Sequence, residues 1–310
     1  MKRNTLILLF SLCSLCLVPL QVTAQESIIS IGTRGGIQYW WPDGTQGGTL
    51  QAFSGVGGFG MLDLNYTYYT NITKDFSFGA IFGLGIGYGN AGLRGVNKAQ
   101  YDKSYNGQNI YYTTDIKFRQ MESFLRLDVP LMLSFRAGGF VANVGPRLVI
   151  PVATSPTAKL TITEPSITAT YSDGSVVPTA IGGQNLFDGK EGQPQEVKSY
   201  LPKANILLCF EAGWEWPIQQ NVLGLQLFVT VGVSSFERHT PEMGKSIIEI
   251  TPSEDGSGQP QMELNSVETL INDRRLSDFG VRLYYGFSFG KNPSPRSARD
   301  TRGHRNRFSF

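Results

Sequence analysis

Phe76-Ser77-Phe78-Gly79-Ala80-Ile81-Phe82-Gly83-Leu84-Gly85-Ile86-Gly87-Tyr88 is the stretch that decides the fold class. Its even positions carry apolar side chains, all bulky except Ala80. Its odd positions are nearly stripped to glycine, with Ser77 and Ile81 the exceptions. Alternation with a period of two is the signature of a β-strand with two different faces. A sandwich in water would bury the apolar face and show polar side chains on the other. Here the second face carries almost no bulk, which suits the narrow interior of a small closed barrel.

The same pattern recurs along the chain. Leu62, Leu64, Tyr66 and Tyr68 alternate with Asp63, Asn65 and Thr67. Leu223, Leu225, Leu227, Val229, Val231 and Val233 alternate with Gly224, Gln226, Phe228, Thr230, Gly232 and Ser234. Phe279, Val281, Leu283, Tyr285, Phe287 and Phe289 alternate with Asp278, Gly280, Arg282, Tyr284, Gly286 and Ser288. Less regular strands are expected at 28–41, 124–135, 140–152 and 205–216. The total of eight is even, as a closed single-chain bacterial barrel requires. The expected fold is therefore all-β: a closed eight-stranded antiparallel up-and-down transmembrane β-barrel.

The connections sort by length. Those at 70–75, 136–139 and 217–222 are short; those at 42–58, 89–123, 153–204 and 235–277 are long. Outer-membrane barrels have short periplasmic turns and long external loops, so both chain ends are expected in the periplasm. Tyrosine and tryptophan concentrate near strand ends (Tyr39 and Trp41, Tyr66 and Tyr68, Trp214 and Trp216), where interfacial aromatics belong.

Composition agrees with this reading. Charged residues make up 17% of the 310, aromatics 12%, and there are 36 glycines. A soluble domain usually carries about 25% charged residues. Mean hydropathy is nevertheless only −0.13, and no stretch after residue 24 is apolar for the ~20 residues a spanning helix needs. A barrel reconciles the two, because only alternate residues meet lipid.

Lys2 and Arg3, an apolar run from Leu6 to Leu20, and Val22-Thr23-Ala24 read as a secretory signal cleaved after Ala24. The expected organisation is signal peptide 1–24, barrel 25–290 and a basic tail 291–310. Without Lys2 and Arg3 the formal charge of +2 falls to neutral, which implies no general attraction to nucleic acid. Cys209 becomes the single cysteine after cleavage, so no intrachain disulfide is expected, and a buried place in a strand is.

Strand parity turns Arg34, Arg126, Arg147 and Arg282 inward, with Asp63, Asp128, Glu211, Glu215 and Asp278. Mixed signs argue against a charge-selective pore, which would be lined by one sign. They point to an interior of paired charges, since an unpaired buried charge is costly.

Leu127-Asp128-Val129-Pro130-Leu131-Met132-Leu133, with Val144-Gly145-Pro146-Arg147-Leu148 after it, resembles the PorT-like outer-membrane β-barrel family, within the OmpA-like superfamily of eight-stranded barrels. Cys209-Phe210-Glu211-Ala212-Gly213-Trp214-Glu215 is similar to that family's sixth strand. Ser134 departs from the pattern, where a basic residue is common. The resemblance implies an eight-stranded outer-membrane barrel with no catalytic residues, and some members of the family assist secretion or gliding machinery. Pro130 lacks an N–H and suggests a bulge. Asp278-Phe279-Gly280-Val281-Arg282-Leu283-Tyr284-Tyr285 resembles the signal read by the barrel-insertion machinery.

Three functional classes stay open from the sequence. The first is a non-enzymatic surface or scaffold barrel that binds through its long loops. The second is an accessory of secretion or envelope assembly, acting through the tail. There Lys291, Arg296, Arg299, Arg302, Arg305 and Arg307 stand against Asp300 alone, and disorder is expected. The third is a small channel, or a lipid-active enzyme built around His239 with Ser234, Ser235 and Glu237 nearby; linear neighbours alone do not make such a site. No cofactor or metal set is expected. The expected partners are outer-membrane lipid and lipopolysaccharide, the insertion machinery, and an envelope protein or anionic headgroup met by the tail. Some of the long loops are expected to extend the strands as hairpins above the membrane: residues 160–163 and 167–171 alternate, and 246–251 is expected to face 262–267 across the turn Asp255-Gly256-Ser257-Gly258.

Overall fold

The computed structural model describes residues 26–45, 50–73, 75–200, 202, 204–235, 245–252 and 260–290. The expected signal segment and tail, His239 and the turn at 255–258 lie outside the described residues.

Eight strands close into one antiparallel ring: β1 (Glu26–Thr45), β2 (Leu50–Asn71), β3 (Phe76–Tyr105), β4 (Gln108–Ala137), β5 (Phe140–Thr154), β8 (Asn205–Ile218), β9 (Asn221–Ser235) and β12 (Ile271–Phe289), which pairs back onto β1. Each strand hydrogen-bonds to the next, so the order is up-and-down throughout. Closure leaves the ring no free edge.

The alternation read from the sequence is the alternation observed. Phe82, Leu84, Ile86 and Tyr88 are exposed on the outside of the wall, while Ile81, Gly85, Gly87 and Gly89 are buried inside. On β2, Leu62, Leu64 and Tyr66 face out and Asp63, Asn65 and Thr67 face in. The glycines make room for bulky side chains on neighbouring strands. A Cβ on Gly224 would overlap the Tyr284 ring, and one on Gly139 would overlap the Trp214 indole.

The long connections are mostly ordered strand. β3 and β4 run on as a hairpin to the two-residue turn Asn106-Gly107, where both residues have positive φ (49° and 75°). That is the turn whose twist matches a β-ribbon. β6 (Thr157–Tyr171) adds to the far half of β4, and β7 (Pro194–Lys198) adds to β6. With the far end of β2, this makes a five-stranded sheet standing above the ring. A single helical turn, Thr179–Gly182, lies between β6 and β7. β10 (Ile248–Thr251) and β11 (Gln261–Leu264) form the expected hairpin, and the 3-10 turn Val267–Thr269 follows.

These additions share a large apolar core. Trp40, Leu50, Ile116, Phe118, Leu160, Ile162, Ile248, Ile250 and Val267 all belong to it. The long connections therefore form a folded cap with its own buried centre. The β3–β4 hairpin is a strand extension of the kind expected from the sequence, and the apolar core shared with the other connections is what that reading lacked. Their apolar residues alternate over too many positions to be left in solvent.

One local expectation also changes. Pro130 does interrupt the ladder, but no register shift occurs there. The shift between β4 and β5 falls at Leu125/Arg126. A second bulge lies in β2 between Gly55 and Phe59, where the backbone N–H of Gly58 donates to Oδ1 of Asn90 at 2.7 Å. An extra residue in one strand reverses which side chains face out. Beyond this bulge Gln51 and Phe53 are the exposed positions of β2.

Candidate functional site

The interior of the ring is a stack of paired charges. All nine residues placed inside by parity are buried there: Arg34, Asp63, Arg126, Asp128, Arg147, Glu211, Glu215, Asp278 and Arg282. They come from six different strands, so the ring must close before they can meet.

Two groups occupy the middle. In the first, Arg34 Nε donates to Asp63 Oδ2 at 2.9 Å and Arg34 Nη1 donates to Glu211 Oε1. Arg282 Nη2 reaches Asp63 Oδ1 at 2.9 Å. Asn143 Nδ2 donates to the other Glu211 oxygen at 3.0 Å. Cys209 is buried beside this group, its Sγ 3.5 Å from Glu211 Oε1. In the second, Arg126 Nη2 lies 2.9 Å from Asp278 Oδ2 and 3.1 Å from Asp128 Oδ2, while Gln38 Oε1 accepts from Arg126 Nη1 at 3.0 Å. Arg147 Nε stands 3.2 Å from Asp128 Oδ2. Phenylalanines close over the cations: Phe59 under Arg126 at 4.5 Å and Phe228 under Arg34 at 5.3 Å, both to the ring centroid.

Two further groups were not read from the sequence. At the short-turn end, Arg136 pairs with Glu26 at 2.9 Å and Glu215 at 2.8 Å, and Tyr284 Oη donates to Glu215 at 2.5 Å. Arg136 falls in the expected short connection at 136–139, and Glu26 just before the expected first strand. Counting the alternation one residue past 135 and two residues before 28 turns both inward. At the cap end, Arg274 pairs with Glu122 and, at 3.1 Å, with Glu268, and it stacks over Trp40 at 4.7 Å. Gln120 Nε2 donates to Ser266 Oγ at 2.8 Å, and Val267 N donates to Gln120 Oε1 at 2.8 Å. These bonds fasten the 266–269 turn across the mouth of the ring. Burial, with Glu122 close by, pushes the Glu268 carboxyl well above the ordinary carboxylate range, against the pull of Arg274.

Chemically, this interior is suited to holding a wall together. Each buried guanidinium has at least one carboxylate oxygen within ion-pair distance. Large side chains fill the space between the groups, as a ring of eight strands allows. The outside is the reverse: Ile31, Leu64, Leu84, Val129, Leu133, Phe210, Leu227, Val281 and Leu283 are all exposed apolar side chains on the wall.

No protein-family model and no curated protein matches the chain. Among solved structures, the chain is similar to Ail, the attachment invasion locus protein of Yersinia pestis, in complex with the heparin analogue sucrose octasulfate. Identity is 13%, the TM-score 0.24, and coverage 86% of this chain and 100% of that one. A second structure of Ail gives 12% and 0.24 with the same coverage. The translocator domain of the autotransporter NalP from Neisseria meningitidis gives 9% and 0.21, covering 92% of this chain and 96% of that one. Likeness at this level carries no argument about this chain. The architecture rests on its own strand ladder: a closed eight-stranded antiparallel β-barrel, apolar outside, filled with paired charges inside and capped at one end.

Proposed function

We propose that this chain is an integral outer-membrane β-barrel that acts, without catalysis, as a surface or scaffold protein through its cap. The observation that carries this reading is the inversion of polarity across the wall. A protein in water does not set a belt of exposed leucine, isoleucine, valine and phenylalanine around a core of arginine, aspartate and glutamate. A lipid-facing barrel does. The long connections then lie outside the cell and the chain ends in the periplasm, with residues 1–24 removed on export.

The filled interior supports a structural role for the ring and leaves the cap as the surface that meets partners. The PorT-like resemblance is compatible with the wall's geometry. Pro130 stands opposite Arg147 and Gly145 opposite Cys209, so the quoted motifs lie on adjoining strands around the central charge groups.

Reconstitution into a planar bilayer tests the scaffold reading. The expected record is a quiet membrane at protein densities where a porin gives steps. Stable unitary steps that depend on the folded protein would replace the scaffold with a channel.

A further inference from the structure

On the outward face of the cap's five-stranded sheet, Arg94 of β3 and Arg119 of β4 stand directly opposite one another across the strand pair, both exposed. Directly opposed residues have Cβ atoms about 4.5–5.5 Å apart, and like charges there are destabilising. The neighbouring lysines are neutralised: Lys98 lies 3.0 Å from Asp115, and Lys117 lies 2.7 Å from Glu164. Among the described residues neither arginine has a carboxylate partner. The two line an open groove of about 510 Å³ with Lys117, Phe53 and Val56. Its side is formed by the β2 bulge, where Gly55 stands opposite Gly92 and no side chain rises between them. Phe53 and Val56 are 56% and 59% exposed, so an apolar wall stands beside two free guanidiniums.

We propose that this groove binds the phosphate groups of a saccharide-headed lipid in the outer leaflet around the barrel. The proposal rests on the outer-membrane reading above. Two guanidiniums that repel each other become a bidentate clamp once a phosphate lies between them. An exposed aromatic beside them suits the apolar face of a sugar ring.

Position selects the class of lipid. Alternate residues of β4 keep one outward face without interruption from Phe135 to Tyr111, so the groove opens sideways above the lipid-facing wall. Arg94 lies six residues beyond Tyr88, the last aromatic of the apolar belt on β3. At about 3.3 Å per residue and a tilt of about 40°, that is roughly 15 Å along the membrane normal. The headgroup zone of a glycerophospholipid bilayer adds only about 5–8 Å on each side. A phosphorylated oligosaccharide headgroup extends to the height of the groove.

The experiment is native mass spectrometry of the full chain folded in detergent, titrated with rough-type lipopolysaccharide that carries phosphorylated core sugars. The expected result is one bound lipid per barrel. Affinity should fall tenfold or more for Arg94→Gln/Arg119→Gln and stay unchanged for Lys190→Gln, which removes a charge elsewhere on the cap. The same lipid dephosphorylated with hydrofluoric acid should bind the unaltered protein as weakly as the intact lipid binds the double variant. This arm decides the question even if the variant folds poorly.

Equal binding of dephosphorylated lipid, or an unweakened double variant, overturns the site. Equal binding of phosphatidylglycerol overturns the saccharide class. A soluble polyanion that binds as tightly through the same two arginines overturns the lipid assignment in favour of a soluble partner. Heat-modifiability of each sample reports separately on whether the membrane-barrel reading itself holds.

Discussion

Arg34 and Glu211, 177 residues apart in sequence, meet inside the barrel, where the Arg34 guanidinium donates to the Glu211 carboxylate while its Nε holds Asp63 at 2.9 Å. Removing one member of a buried pair leaves a charge without its partner, at a cost of about 3–5 kcal/mol. Glu211→Leu strips a carboxylate shared by Arg34 and, at 3.8 Å, Arg282, so it should lower stability by that order. Adding Arg34→Met should recover part of the loss. Urea unfolding of the protein in detergent micelles measures both, and an unchanged midpoint for Glu211→Leu would contradict the pairing.

The apolar belt gives a second test. Leu64 and Leu227 are more than half exposed on the outer wall. In water, arginine at either site would be tolerated. In a bilayer, arginine near the midplane of a barrel costs about 2–4 kcal/mol and the cost fades toward the interfaces. Leu64→Arg should therefore destabilise the protein in phospholipid bilayers by that order, whereas Thr113→Arg, exposed on the cap sheet, should be close to neutral. Equal effects at the two sites would place the belt in water.

The lid across the barrel mouth should respond to pH through Glu268. Undocked, this carboxyl loses its proton near the ordinary value of about 4.3. Docked, between Arg274, Glu122 and Ser266, it keeps the proton to a higher pH. Docking is therefore fully favoured below the ordinary value and weakens as pH rises through the raised one. Amide exchange at Val267–Leu270 should accelerate over that interval beyond the intrinsic base-catalysed rate. Glu268→Gln should remove the extra dependence and protect the turn at alkaline pH.

At the tip of the β3–β4 hairpin, Gly107 has φ of 75° beside Asn106 at 49°. A β-branched residue there meets the left-handed penalty of about 1–2 kcal/mol. Gly107→Val should fray the hairpin tip, visible as faster exchange at Tyr105 and Gln108, while leaving the ring and its heat-modifiability intact.

The ring itself was legible in the sequence; of the cap, hairpin extensions were legible and their common core was not. Phe76–Tyr88 declares its two faces because lipid tolerates only apolar side chains, and a lumen this narrow tolerates little bulk. The nine inward charges followed from parity alone. Arg136 and Glu26 escaped because they sit where strands meet turns, and alternation is hardest to count there. Glu122, Glu268 and Arg274 escaped for a different reason: their partners are brought together by the cap. Leu160, Ile248 and Val267 looked like fragments of alternating loop, and only their packing into one apolar cluster shows that they share a core. The β2 bulge at Gly55–Phe59 reverses the outward face locally, so the exposure of Phe53 beside Arg94 could not be counted from the strand below.

Whether the chain spans the outer membrane as a closed barrel is read from electrophoresis of the envelope's outer-membrane fraction with and without boiling. The protein is expected in that fraction, migrating faster unboiled than boiled, because a closed ring resists detergent unfolding. Recovery in the soluble fraction, or a single mobility under both conditions, would contradict it.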